Sequence, residues 1–214
     1  MSKIFTSIIG PTFEACKKQI VNIRNAELRL DMLELSAANV QELWPSCQRW
    51  MVTIRKGFFE NTGWKEIFEA CIFLKPDYID IDSELPESDF QTLLKIIGNS
   101  DSRLILSYHN YDLTPSFEEL KQVTLSLINR GAKVVQLACM VNDYNDNVIL
   151  LRLYGEFDNI ITIGMGEKGK VSRLNALYFG EQVSYAAASQ EEAAAPGQMT
   201  YQEMRNLEKA LKCD

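Results

Sequence analysis

Residues 26–33 read Ala26-Glu27-Leu28-Arg29-Leu30-Asp31-Met32-Leu33, an alternation of charged and apolar residues with period two. Successive side chains of a strand point to opposite faces, so Glu27, Arg29 and Asp31 share one face and Leu28, Leu30 and Met32 the other. A strand covered by helices on both faces would be almost wholly apolar. The leucines must therefore meet helices, while the charges meet an interior that tolerates them. Three further runs repeat the pattern. In MVTIR the shared face carries Thr53 and Arg55, in YIDID Asp80 and Asp82, and in LILSYH Ser107 and His109. Isolated buried charges cost several kcal/mol each, so these groups must pair with one another or with a ligand. A structural ion-pair layer and a ligand site both satisfy that demand. The polar groups fall late in each strand, the end at which barrel active sites form.

Working outward from this stretch, β-type runs recur near 3–9, 26–33, 49–55, 77–82, 103–109, 133–139, 159–165 and 182–188. Stretches of helical periodicity lie between them, such as Phe117, Leu120, Val123 and Leu127. Thr114-Pro115-Ser116, with Glu119 three residues after Ser116, supplies a helix entry, and a last helix is expected over about 200–211. Strands alternating with helices predict a parallel sheet, either open or closed. An open dinucleotide-binding sheet calls for a GxGxxG turn after an early strand, but the first strand runs into Ile9-Gly10-Pro11-Thr12. The charged strand faces favour closure. The expected architecture is an α/β fold, one (β/α)8 TIM barrel domain spanning residues 1–214, with short loops.

Composition sets the outer limits. With 214 residues, 46% hydrophobic and 24% charged, the chain has material for one sizeable core and too little length for two ordinary domains. A net charge of −7 argues against a nucleic-acid partner held by phosphate neutralisation. No apolar run approaches a membrane span. Pro11 and Glu14 interrupt the first apolar stretch, which reads as a strand and not as a signal peptide. Cysteines at 16, 47, 71, 139 and 213 are odd in number and contain no CxxC. That usage suits a reducing cytoplasm and argues against a disulfide framework or zinc site.

His109 is the single histidine of the chain. At the C-terminal end of a strand, beside Ser107 and near paired carboxylates, it is placed for general acid–base work; a satisfied structural histidine is the plainer reading. Arg173, after the seventh strand, is a surface arginine or an anion ligand. The run AAASQEEAAAPG before Gln198 is a linker or a glycine-hinged lid. Arg55 and Arg173 together favour a small polar anion. A metal-assisted site built from Glu27, Asp31, Asp80, Asp82 and His109 is disfavoured because Arg29 and Arg55 in the same layer would repel the cation.

The series ELRLD, VTIR, YIDID, SYHNYDLTPS, VSRLNALYFG and AAPGQ resembles, in order and spacing, the type I 3-dehydroquinate dehydratases. The resemblance implies a TIM-barrel lyase of the shikimate pathway and aromatic amino acid biosynthesis. It implies dehydration of 3-dehydroquinate to 3-dehydroshikimate, with no cofactor. A strand-six lysine would form a Schiff base with the ketone, and a histidine would move protons. By position, His109 matches that histidine. Glu27, Arg29, Arg55, Arg173 and Gln198 match the groups around the substrate, and Asp82 stands where a glutamate is usual. The implied partner is the anionic substrate alone, without nucleic acid or membrane and with room for a homodimer. Two departures stand out: Ala194 replaces a serine before APGQ, and Gln136 occupies the lysine position in Val134-Val135-Gln136-Leu137-Ala138. A carboxamide nitrogen cannot form an imine. Lys133 and Lys56 have the wrong place or parity, leaving Lys168 and Lys170 of the strand-seven loop as substitutes. The chain is thus expected to be impaired, by natural divergence or by design; the alternative is a non-catalytic barrel that binds a metabolite of the same pathway.

Overall fold

In the computed structural model, which describes residues 3–211, the period-two runs become strands β1 (Lys3–Ile8), β2 (Asn25–Arg29), β3 (Arg49–Ile54) and β4 (Tyr78–Asp82). The series continues with β5 (Arg103–Asn110), β6 (Val134–Met140), β7 (Ile160–Met165) and β8 (Val183–Ala187). Between them run α1 (Phe13–Ile20), α2 (Ala37–Leu43), α3 (Trp64–Phe73), α4 (Glu87–Ile97), α5 (Phe117–Asn129), α6 (Asp146–Arg152) and α7 (Lys170–Asn175), and α8 (Tyr201–Leu211) follows β8. Every strand pairing is parallel, in the order β7-β6-β5-β4-β3-β2-β1-β8. This is a (β/α)8 barrel, nearly closed. Helix entries form as their sequences dictate: Ser116 and Glu119 close a reciprocal capping box on α5. Cys213 lies outside the described residues.

The strands carry two apolar layers. Leu28, Val52, Ile79, Ile81, Leu106, Val135 and Leu137 pack outward against the helices. Phe5, Met51, Ile105, Val134, Ile161, Val183 and Tyr185 fill the lumen. At the N-terminal end of the lumen the Glu181 carboxylate accepts from Lys3 Nζ (3.0 Å), the Tyr78 hydroxyl (2.6 Å) and Arg103. That cluster plugs the floor, so the lumen opens only at the C-terminal ends of the strands. One sequence expectation is corrected here. β2 stops at Arg29, and Leu30–Met32 form a 3-10 turn, so Asp31 is not on the strand face and Met32 is 40% exposed instead of packed on helices.

β7 and β8 share no ladder among the described residues, and side chains close the seam between them. Val135 N–H donates to Asn159, which directs the backbone of alternate residues from Ile160 onward toward β8. Glu181 N–H reaches the Ile160 carbonyl at 3.1 Å. The Tyr154 hydroxyl accepts from Thr162 N–H (3.0 Å) and donates to its carbonyl (3.5 Å). Ser172 Oγ accepts from Gly164 N–H (2.6 Å), and Gly166 N–H donates to the Pro196 carbonyl (3.1 Å). Gly180 permits the closure: its φ is +56°, and a Cβ there would lie 2.7 Å from the Tyr154 ring. Buried backbone groups left unpaired are costly. Tyr154→Phe is therefore expected to lower stability by about 1–3 kcal/mol, read from denaturant melts. An unchanged midpoint would show that the hydroxyl does not hold the seam.

Candidate active site

The polar strand faces converge on one pocket at the C-terminal mouth, with about 510 Å³ of atom-free space counting its open side. Its wall includes Ser7, Glu27, Arg29, Arg55, His109, Gln136, Arg173 and Gln198, with Tyr111, Ala138, Ile163, Met165, Tyr185, Ala194 and Ala195. Seven residues anticipated from sequence are thus brought together: Glu27, Arg29, Arg55, His109, Gln136, Arg173 and Gln198.

Glu27, buried on β2, accepts from Ser7 Oγ and Thr53 Oγ1, each at 2.6 Å. Ser7 in turn accepts from Gln198 Nε2 (3.0 Å), while Gln198 Oε1 accepts from Ala194 N–H (2.7 Å). The Gln198 carboxamide is therefore engaged at both ends, tying the loop after β8 to β1. Gly197 holds the same loop down at φ +70°, where a Cβ would lie 2.3 Å from the Gly166 carbonyl oxygen. Arg29 forms a bidentate pair with Asp31 at 2.9 and 2.7 Å, so Asp31 reaches the layer from its turn. Arg55 donates to Asp80 Oδ2 (2.8 Å), and its Nε lies 3.7 Å from Asp82. Burial opposes the Arg55 charge, but Asp80 and Asp82 outweigh it and hold the pKa above the ordinary value.

Asp82 is placed differently from expectation. It stands behind the wall, with Oδ2 3.5 Å from His109 Nδ1, close to it but not aligned for a hydrogen bond. Burial would raise the Asp82 carboxyl, yet His109, the Glu84 backbone N–H and Arg55 together hold it below the usual range. His109 also stacks on Tyr111, rings 12° from parallel and centroids 5.9 Å apart. With Nδ1 turned to Asp82 and the ring on the pocket wall, His109 has the geometry of an oriented acid–base group.

Arg173 is the exception among the pocket arginines. On α7 and 1% exposed, it has no carboxylate partner among the described residues. Its Nη2 makes a long 3.4 Å bond to the Pro196 carbonyl, and Nε is buried without a partner. Burial lowers its pKa to about 10, which still leaves it cationic at neutral pH. The strand-seven lysines do not reach the pocket. Lys168 Nζ donates to the Asn142 carbonyl (2.7 Å), and Lys170 pairs with Glu167 (2.8 Å). Neither stands in for a lysine at 136. Glu27, Asp31, Asp80 and Asp82 each meet a protein donor or cation, and among the described residues no acid–His–Cys cluster has metal-binding geometry.

Ser7, Tyr111 and Tyr185 were not among the residues singled out from sequence. Ser7 and Tyr185 had a readable signal: Phe5 and Ser7, and Val183 and Tyr185, have the parity of the lumen face. Tyr111 lies beyond β5 on a loop, where parity does not apply.

A nearly closed parallel barrel whose C-terminal mouth carries a pocket lined by arginines, a carboxylate and a histidine is the architecture of a barrel enzyme acting on a small molecule. Residues 4–213 match the family model described as "Type I 3-dehydroquinase". The 3-dehydroquinate dehydratase of Pyrococcus abyssi is 32% identical over 92% of this chain and 94% of its own length, and that of Thermodesulfovibrio yellowstonii is 33% identical over 91% and 88%. The crystal structure of the 3-dehydroquinate dehydratase from Aquifex aeolicus superposes with a TM-score of 0.78 at 28% identity, covering 98% of both chains. The chain belongs to the type I 3-dehydroquinase family, whose activity is that of a hydro-lyase.

Proposed function

We propose that the pocket binds a 3-dehydroquinate-like ring carboxylate without covalent capture, and that the chain as it stands does not dehydrate it through an imine. What supports this reading is a buried arginine on the same wall as a carboxamide at position 136, where the resemblance implies a lysine. Arg173 is a buried guanidinium with no carboxylate partner among the described residues, on the wall that also carries Gln136. Family membership and the histidine favour the parent substrate, and the carboxamide at 136 favours binding over turnover. Within this reading Glu27, Arg29 and Arg55 shape the polar wall, Gln198 holds the covering loop, and Asp82 orients His109. The described cysteines Cys16, Cys47, Cys71 and Cys139 are all free, and burial raises their pKa values to about 11–12. They fit the cytoplasm as the working compartment.

Calorimetry with 3-dehydroquinate tests the site. A charge-assisted pair to carboxylate is worth roughly 1.5–3 kcal/mol, so Arg173→Ala is expected to weaken binding about tenfold or more. The fold should persist, because the substitution removes an uncompensated buried charge. Equal affinity in the variant would remove Arg173 as the carboxylate ligand.

A further inference from the structure

Charge is unevenly shared around the pocket. On the side built by β2, β3 and β4, two arginines meet four carboxylates. Asp31 holds Arg29 in its bidentate pair, Asp80 Oδ2 accepts from Arg55 Nη2 (2.8 Å), and Asp82 lies 3.7 Å from Arg55 Nε. The Glu27 carboxylate acts on both guanidinium groups. On the α7 side Arg173 meets no carboxylate among the described residues, and burial alone acts on its charge. A ligand anion is therefore the missing counter-charge at Arg173, while Arg29 and Arg55 already have theirs.

Asp80 is fully buried behind Arg55, off the pocket wall, and its Oδ1 has no hydrogen-bond partner. A buried carboxylate with one oxygen unpaired is a poor stabilising device, so its effect on Arg55 is the stronger reason for it. Of the five N–H groups of Arg55, Asp80 and the Ile54 carbonyl take one each. Arg55 thus stands on the wall as a hydrogen-bond donor whose charge is cancelled from behind, which suits ligand hydroxyls. The β7–β8 end, where barrels commonly seat a phosphate, is closed by the loop after β8. Gly166 N–H is taken by the Pro196 carbonyl (3.1 Å), and a Cβ at Gly197 would lie 2.3 Å from the Gly166 carbonyl oxygen.

We infer that Asp80 and Asp31 are specificity-determining residues: by neutralising Arg55 and Arg29 they limit the pocket to one ligand charge, set at Arg173, so that it takes a singly charged hydroxylated ring carboxylate and rejects the same ring carrying a phosphate. Neither aspartate lines the pocket, and each acts through its arginine. This rests on the anion-pocket reading above and fixes the charge of its ligand. With unneutralised arginines at 29 and 55, the same wall would suit a polyanion.

The test is calorimetry of the full chain with shikimate and with shikimate 3-phosphate, which share a ring and a carboxylate and differ by the phosphate. Shikimate is expected to bind tighter by about tenfold or more. Asp80→Asn keeps the shape and an acceptor for Arg55 but removes the charge. It should strengthen the phosphorylated ligand by about tenfold or more and shikimate by less, because the gain scales with ligand charge. Asp31→Asn should narrow the gap in the same direction, and it carries the test if Asp80→Asn does not fold. Tighter or equal binding of the phosphate by the unaltered protein overturns the inference. So does a gap that neither variant narrows, or variants that weaken both ligands, as merely structural aspartates would. If shikimate binds and weakens in Arg173→Ala while the gap stays fixed, the anion pocket stands and only this inference fails. If neither shikimate nor 3-dehydroquinate gives saturable heat to the unaltered protein, the two fall together.

Discussion

Gln136→Lys is expected to give a protein that dehydrates 3-dehydroquinate and is trapped by borohydride as a covalent adduct, whereas the unaltered chain does neither. The side chain at 136 rises from β6 into the pocket wall at the level of Ser107, with which it is in register. A lysine of similar length would enter a desolvated space shared with Arg29, Arg55 and Arg173. Asp31, Asp80 and Asp82 take up the Arg29 and Arg55 charges, and Glu27 on the same wall favours an ammonium; burial and Arg173 oppose it, and desolvation supplies the free amine. The amine adds to the ketone carbon, and loss of water gives the imine. The imine accepts the electron pair left when a proton leaves the adjacent carbon, expulsion of the neighbouring hydroxyl as water gives a conjugated imine, and hydrolysis of that imine by water releases the enone product and the free amine. Its ultraviolet absorbance reports the rate. Borohydride trapping of the unaltered protein, together with enzyme-like turnover, would assign the nucleophile to another lysine. Lys168 and Lys170 are poor choices for that, since both are turned to partners outside the pocket.

In the Gln136→Lys background, His109→Ala should cut turnover by about 10²–10⁴, the range for a general acid–base group. The expectation rests on placement. The ring is held between the Asp82 carboxylate and the Tyr111 ring, and its edge reaches the same wall as position 136. Asp82 and Tyr111 orient the imidazole; neither replaces it as a proton carrier. The melting temperature should move little, because no side chain depends on His109 for an aligned hydrogen bond. A large fall in stability with unchanged turnover of the folded fraction would make the histidine structural.

Strand parity made most of this site legible. Side-chain direction along a strand alternates by backbone geometry alone, so Glu27, Arg29, Arg55, His109 and Gln136 were assigned to the lumen from their neighbours in sequence. The same rule extends to Ser7 and Tyr185, which have the inward parity of β1 and β8. Barrel closure followed from charged faces that an open, helix-covered sheet would not accommodate. Parity fails where the strand ends. Asp31 sits on a 3-10 turn beyond β2, and its return to Arg29 depends on the path of that turn.

The sequence by itself determined the barrel, its inward-facing residues and the carboxamide at 136, because each follows from local periodicity or residue identity. Which carboxylate neutralises which arginine was decided only by the tertiary structure. Arg55 takes Asp80, Asp82 goes behind the wall to His109, and Gln198 is used up by Ser7 and Ala194. Among the described residues, Arg173 is left buried without a counter-charge. Long side chains with several rotatable bonds reach partners on neighbouring strands, so their pairing depends on strand register and loop path. The β7–β8 seam has the same origin. Whether two strands meet closely enough to share a ladder depends on what packs between them, and here that is Tyr154 against Gly180.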